Sequence, residues 1–263
     1  MKMRIELHNL KPKYMSESEV AGSDIYLQPS VLFEQGRSYL VRARSGHGKT
    51  SLLNFIYGIS GQYDGEVVLT ENGERRTENG ERRAENGEWR TENATHPAAL
   101  FFVHRFATGT ATGSSFSPLR EGMANARTEN ELRTRLLSFM FQDLGLFPQL
   151  TAMENVQLKN RLTGFKSDAE IEAMLDALLP EGKKHQPVAT LSLGQRQRVA
   201  AVRALCQPFK FILMDEPFSH IDSENARCVA DMVMGEVGRQ GAGLIVTALD
   251  AIDYFPFDVT YNL

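Results

Sequence analysis

The chain has 263 residues, 42% of them hydrophobic and 24% charged, with 33 acidic residues against 29 basic and a formal net charge of −4. That length can bury one substantial core, and the mild acid excess gives neither the basic footprint of a nucleic-acid binder nor a polybasic membrane signal. Two cysteines make no disulfide framework and no apolar run matches a signal peptide or a bilayer span, so the expectation is a globular protein in a reducing, cytoplasmic setting.

The first residues, Met1-Lys-Met-Arg-Ile-Glu-Leu-His8, alternate apolar and polar side chains. Residues 38–43 read as a short strand running into a glycine-bearing turn, and residues 51–59 as the helix that follows. Residues 70–93 repeat a seven-residue unit (TENGERR, TENGERR, AENGEWR, TEN) that holds seven Glu and five Arg but no apolar a/d pair. With Asn-Gly in every full copy this is no coiled coil, and it buries too little apolar surface to offset the entropy of ordering it. The stretch Gly109-Thr-Ala-Thr-Gly-Ser-Ser-Phe-Ser-Pro118 is also loop-like, so residues 70–127 read as an insertion in one domain, with a short strand at 99–104. Ser167-Asp-Ala-Glu170 is a capping box, followed by Ile171, Met174, Leu175, Leu178 and Leu179 at helical spacing, then Pro180 and Gly182 as a stop. Residues 209–214 and 243–247 are apolar strands. Strands alternating with helices, the strands apolar on both faces, give an α/β fold with a mainly parallel sheet.

The turn after the first of these strands is Ala43-Arg-Ser45-Gly46-His47-Gly48-Lys49-Thr50. It has the phosphate-loop spacing G-x-x-x-x-G-K-[ST], with Ala43 in place of the first glycine. Small residues let backbone N–H groups wrap phosphates at a helix N-terminus, while Lys49 reaches the β/γ-phosphates and the Thr50 hydroxyl holds Mg2+. Alanine preserves the loop provided that Ala43 avoids positive φ. Arg42 is unexplained in a buried strand. A second strand must bring a carboxylate to the metal, and Asp215-Glu216 at the end of residues 209–214 does so: Asp215 for Mg2+, Glu216 to polarise an attacking water.

Between these two sites lies Leu191-Ser192-Leu193-Gly194-Gln195-Arg-Gln-Arg198, 23 residues from Ser192 to Asp215. Here the chain resembles the ATP-binding cassette (ABC) family, whose signature reads L-S-G-G-Q just before a helix. Phe139-Met-Phe-Gln142-Asp, continued by Leu146-Phe-Pro-Gln-Leu-Thr-Ala-Met-Glu-Asn-Val156, looks like that family's glutamine loop. Ser219-His-Ile-Asp222 looks like its inter-subunit loop, and Tyr14 stands near its adenine-stacking aromatic, with Tyr26 as a rival.

The resemblance implies a P-loop NTPase core of RecA type, an N-terminal antiparallel β subdomain and a helical subdomain over residues 143–191. It implies that ATP is held by Ser45, Gly46, His47, Gly48, Lys49, Thr50, Ser51 and Tyr14, and Mg2+ by Thr50, Gln142 and Asp215. Catalysis would fall to Glu216, Gln142 and Lys49. Ser192, Gly194 and Gln195 would meet ATP held by a second cassette, in a homo- or heterodimer, with Asp222 at the contact between them. A separate transmembrane permease is the implied partner, reached from the cytoplasmic face of the membrane, and no nucleic acid is expected. The run from Phe141 to Val156 is similar to cassettes of the lipoprotein-releasing and macrolide-export type.

Two departures stand out. Leu193 replaces a signature glycine, and Thr247-Ala248-Leu249-Asp250 stands where the family has Thr-His-Asp, so alanine occupies the place of the histidine that contacts the γ-phosphate. Loss of such a group slows a reaction by about 10²–10⁴-fold, so slow hydrolysis is expected. A regulatory cassette that binds ATP with little turnover, or an ABC ATPase outside transport, are the alternatives.

Overall fold

In the computed structural model, which describes residues 2–72, 99–105 and 129–263, the opening alternation becomes β1 (Lys2–Pro12), with Met3, Ile5, Leu7 and Leu10 buried. β1 is central to an antiparallel sheet ordered β2-β1-β4-β5, with β2 at Val31–Glu34, β4 at Tyr63–Asn72 and β5 at Ala99–Arg105. The pairing of β1 with β4 slips between His8 and Lys11, where Asn9 has φ +48° and Gly65 has φ +98°. A Cβ at Gly65 would lie 2.5 Å from the carbonyl oxygens of both His8 and Asn9, so this bulge admits only glycine. The strand foreseen at 99–104 is present and one residue longer. Residues 70–72, read as the start of the insertion, instead complete β4. Residues 73–98 and 106–128, and with them most of the heptapeptide repeat, lie outside the described residues.

The second sheet is wholly parallel and ordered β6-β7-β8-β3-β9. Its strands are β3 (Ser38–Arg42), β6 (Leu137–Met140), β7 (Phe211–Asp215), β8 (Gly243–Ala248) and β9 (Val259–Asn262). On β7, Phe211 and Leu213 pack with the antiparallel sheet, while Ile212 and Met214 join the opposite cluster. Both faces of the strand are therefore covered, as its unbroken apolar run requires.

The helices are α1 (Glu17–Val20), α2 (Lys49–Tyr57), α3 (Glu129–Glu131, running into a π-helical turn at Leu132–Leu136), α4 (Ala152–Asn160), α5 (Asp168–Leu178), α6 (Leu193–Leu205) and α7 (Ser223–Gln240). Capping boxes open α1, α4, α5 and α6, including the one read at Ser167 and Glu170. α2 begins at Lys49 rather than at 51, because Gly48 in the left-handed region turns the chain straight into the helix; Gly58, also left-handed, ends it. α4 and α5 pack against α6, which lies beside β6. Among the described residues no helix is long and apolar enough to cross a membrane. Cys206 at the end of α6 is buried, and burial pushes its thiol up to about 12; Cys228 on α7 is exposed.

A charge cluster ties α7 to the turn before α5. Lys166 Nζ lies 2.6 Å from Glu236 Oε1, Arg239 Nη2 lies 2.6 Å from Glu236 Oε2, and the Lys166 ammonium and Arg239 guanidinium sit 5.3 and 5.0 Å from the Phe165 ring centre. Burial pushes the Glu236 carboxyl up, but Arg239 and Lys166 outweigh it and hold the group below the ordinary glutamate range. Replacing Glu236→Gln leaves a buried ammonium without its carboxylate and should lower unfolding free energy by about 3 kcal/mol at neutral pH. A depressed folded value means that the carboxylate's stabilisation is complete above the unfolded value and is lost as pH falls through the folded one. The gap between parent and Glu236→Gln in urea denaturation should therefore close as pH is stepped down through the glutamate range.

Candidate active site

Parallel register gathers the chemistry on one rim. Arg42 pairs with Ala248, and Thr247 with Asp215, so the ends of β3, β8 and β7 lie side by side. The phosphate-loop turn leaves β3 there. Ala43 is buried, its N–H donates to the Ala248 carbonyl at 3.2 Å, and its φ is not positive, so alanine satisfies the condition for that position. Gly46 and Gly48 take the left-handed conformation instead, with φ +84° and +85°. Arg42 finds its account in the C-terminal strand: Nη2 donates to Asn262 Oδ1 at 2.9 Å.

Lys49 is buried and turned back on its own loop. Its ammonium donates to the carbonyls of Ala43 (2.7 Å) and Arg44 (3.1 Å) and lies 3.2 Å from Glu216 Oε1, which engages all three of its N–H donors. Glu216 sits at φ +47°, a conformation that costs a residue with a Cβ about 1–2 kcal/mol. The Glu216 N–H holds it there by donating to the carbonyl and the hydroxyl of Thr247, each at 3.2 Å.

Asp215 is 1% exposed. The Thr247 hydroxyl donates to its Oδ1 at 2.6 Å, while Oδ2 is buried with no hydrogen-bond partner. Burial pushes this carboxyl above the ordinary aspartate range, against the pull of the Thr247 hydroxyl. The Thr50 hydroxyl donates to Gln142 Oε1 at 3.1 Å. Thr50, Gln142 and Asp215 line one cavity of about 360 Å3, together with Asn54, Phe139 and Phe141. An orphaned carboxylate oxygen, a hydroxyl and an amide oxygen form a hard-oxygen donor set, which suits Mg2+. The Gln142 loop is anchored from α6, where the Arg203 guanidinium donates to the carbonyls of Leu144 and Gly145 at 2.5 and 2.6 Å.

The two tyrosines separate clearly. Tyr14 is exposed, with its hydroxyl 2.5 Å from Ser51 Oγ, and its ring is open to stacking; Tyr26 is buried and donates to the Gly48 carbonyl at 2.8 Å. The signature residues form a second group. Ser192 Oγ accepts from the Gln195 amide at 3.2 Å, and the Gln195 side chain accepts from the Ser192 amide at 3.0 Å. Gly194 lies against the neighbouring loop, where a Cβ would be 2.6 Å from the His220 carbonyl. Buried Gln197 fixes that loop by donating to Ser219 Oγ and accepting from the His220 amide, and Asp222 caps α7 through the Asn225 N–H. None of Ser192, Gly194, Gln195 or Asp222 lines the cavity of Thr50 and Asp215.

Ala248 is buried beside the phosphate loop with only a methyl group to offer. The histidines of the phosphate loop and of the loop after β7 make local contacts: the His47 ring is 3.2 Å from the Ser45 carbonyl and the His220 ring 2.8 Å from Ser219 Oγ. Thr247 and Arg203, which hold Asp215 and the Gln142 loop, were not foreseen. Thr247 stands at the threonine of the family's Thr-His-Asp and ends an apolar strand, but neither feature points to Asp215.

The sequence pattern of the ABC transporter family matches residues 28–219. The chain belongs to the ABC transporter family. The cassette is 29% identical over 234 residues (88% of this chain and 82% of the relative) to the lipoprotein-releasing system ATP-binding protein LolD of Saccharophagus degradans. It matches the dimeric structure of MJ0796, a bacterial ABC transporter cassette, at a TM-score of 0.58 and 21% identity, covering 94% of this chain and 88% of that one. A Pyrococcus furiosus ABC transporter ATP-binding protein gives 0.60 and 16% identity, over 99% and 97% of the two chains. These solved structures share the cassette's fold.

A carboxyl whose folded value is raised stabilises the fold only while protonated, and that contribution is lost as pH rises through the folded value. At neutral pH the Asp215 charge therefore costs stability. Asp215→Asn should raise the melting temperature of the ligand-free cassette, read by thermal denaturation at neutral pH.

Proposed function

We propose that this cassette is the ATP-binding and ATP-hydrolysing subunit of a membrane transporter, closing on a second cassette around two ATP molecules to drive a separate permease from the cytoplasmic side. The observation that carries the reading is the partnerless buried Oδ2 of Asp215, in one cavity with the Thr50 hydroxyl and the Gln142 amide. The relative named as a lipoprotein-releasing ATP-binding protein supports a transporter of that type.

In this reading the loop amides of Ser45, Gly46, His47 and Gly48, with Lys49, Thr50 and Ser51, bind the phosphates, and Tyr14 stacks on the adenine. Thr50, Asp215 and Gln142 would hold Mg2+, which when bound neutralises charge on the phosphates. Phosphate drawing on the Lys49 ammonium loosens its pairing with Glu216. The freed carboxylate orients a water and takes its proton as the water oxygen bonds the γ-phosphorus and the bond to the bridging oxygen breaks, leaving ADP and phosphate. Ser192, Gly194 and Gln195 at the start of α6 offer a hydroxyl and helix N-terminal amides to the nucleotide of the second cassette, with Asp222 at the contact. That none of them lines the cavity of Thr50 and Asp215 supports a paired site.

Ala248 favours slow turnover and, at its limit, a regulatory cassette. Steady-state phosphate release decides between them. The transport reading expects measurable turnover in the presence of a permease, raised at least about tenfold by Ala248→His. Glu216→Gln should accumulate an ATP-bound dimer on size exclusion. Failure to trap additional dimer would mean that the parent does not hydrolyse ATP, and would favour the regulatory role.

A further inference from the structure

Tyr26, the rival to Tyr14 as the stacking aromatic, is too buried to stack on a base, yet it is bonded to the phosphate loop. Its ring is 1% exposed, and its hydroxyl donates to the Gly48 carbonyl at 2.8 Å. Burial raises its phenol far above the usual tyrosine range, so it remains a donor at all working pH values. The same carbonyl accepts the Leu52 N–H at 2.8 Å, the first hydrogen bond of α2. Two donors from different directions thus fix the orientation of this one oxygen.

The peptide joining Gly48 to Lys49 is planar and its N–H points opposite to its C=O. Pinning the carbonyl inward aims the Lys49 N–H, one of the unpaired amides of the first turn of α2, out toward the concavity of the loop. Gly48 is otherwise the most permissive residue there: it has φ +85°, and no side chain restrains its peptide. The phenol also fills the space that a side chain at position 48 would need, with its oxygen 2.8 Å from an ideal Cβ.

The phenol is itself held. Ser23 Oγ accepts from the amides of Ile25 (3.1 Å) and Tyr26 (2.9 Å), and Gln28 donates to the Ser23 carbonyl at 2.7 Å. Asp24 is bound to the last strand, its N–H donating to the Asn262 carbonyl and its carboxylate accepting from the Asn262 amide. We propose that Tyr26 is a positioning residue for nucleotide binding, which presets the Gly48–Lys49 peptide so that the Lys49 amide already faces the phosphates before they arrive. This rests on the nucleotide-binding reading above. A preset donor is stronger than one that must reorganise when the anion arrives.

The test compares Tyr26→Phe, which keeps the ring and removes the hydroxyl, with Tyr39→Phe. Tyr39 is a buried phenol whose oxygen accepts from the Glu34 amide at 2.7 Å, away from the loop. Calorimetric titration with ADP and with a non-hydrolysable ATP analogue should show Tyr26→Phe binding both about 3- to 10-fold more weakly, the range of one lost hydrogen bond. Tyr39→Phe should lower the melting temperature of the ligand-free protein comparably and leave both affinities unchanged. Ser23→Ala, which loosens the tyrosine without touching it, should weaken binding in the same direction, and it carries the test if Tyr26→Phe does not fold. Unchanged affinity in a folded Tyr26→Phe, or equal losses in Tyr26→Phe and Tyr39→Phe, overturns the inference. A parent protein that binds neither nucleotide overturns the underlying function instead.

Discussion

The site depends on the parallel pairing of β3, β8 and β7. Parallel strands share a direction, so all their C-terminal ends open on one side of the sheet, and register then decides which residues meet there. Thr247 opposite Asp215 and Ala248 opposite Arg42 are consequences of that register. From it follow the hydroxyl that holds the carboxylate, the backbone bonds that hold Glu216 in a left-handed conformation, and the contact between Ala43 and Ala248 that closes the loop. A slip of one residue would turn Thr247 to the opposite face and separate all three. The apolar clusters on the two faces of β7 protect the register, because each alternate side chain has a different core to fill.

Within that frame, the electrostatics describe a site built for ligands it does not itself provide. Asp215 bears a charge in a buried position with one oxygen unpaired, an arrangement that a fold optimised for stability alone would not keep. Lys49 satisfies its donors from its own loop and from Glu216, whose opposite charge it neutralises. The signature at α6 is similarly self-satisfied through Ser192 and Gln195.

Local patterns carried most of the fold. The capping box at Ser167, the apolar strand ending on Asp215-Glu216, and the loop from Ala43 to Thr50 all stand where periodicity and spacing place them, since each depends on neighbours within a few residues. Boundaries moved where a single backbone angle decided them: Gly48 starts α2 at Lys49, a fact that lies in φ rather than in composition. What could not be read is the set of contacts between distant segments. Arg42 looked anomalous because its partner, Asn262, is 220 residues away; Arg203 reaches Gly145 across 58, and Tyr26 reaches Gly48 across 22. The apolar run from Phe209 predicts a strand there, but the Phe209 N–H donates to the Gln240 side chain, so β7 begins at Phe211.

The two cysteines, uninformative as a disulfide pair, differ sharply as thiols. Cys206 is sealed under α6 with its ionisation suppressed, whereas Cys228 faces outward from α7. A maleimide or methanethiosulfonate reagent requires an accessible thiolate and will therefore select Cys228. Every copy of the chain carries one native attachment point for a fluorophore or spin label on a rigid helix. A label there reports on the helix without altering a residue of the site.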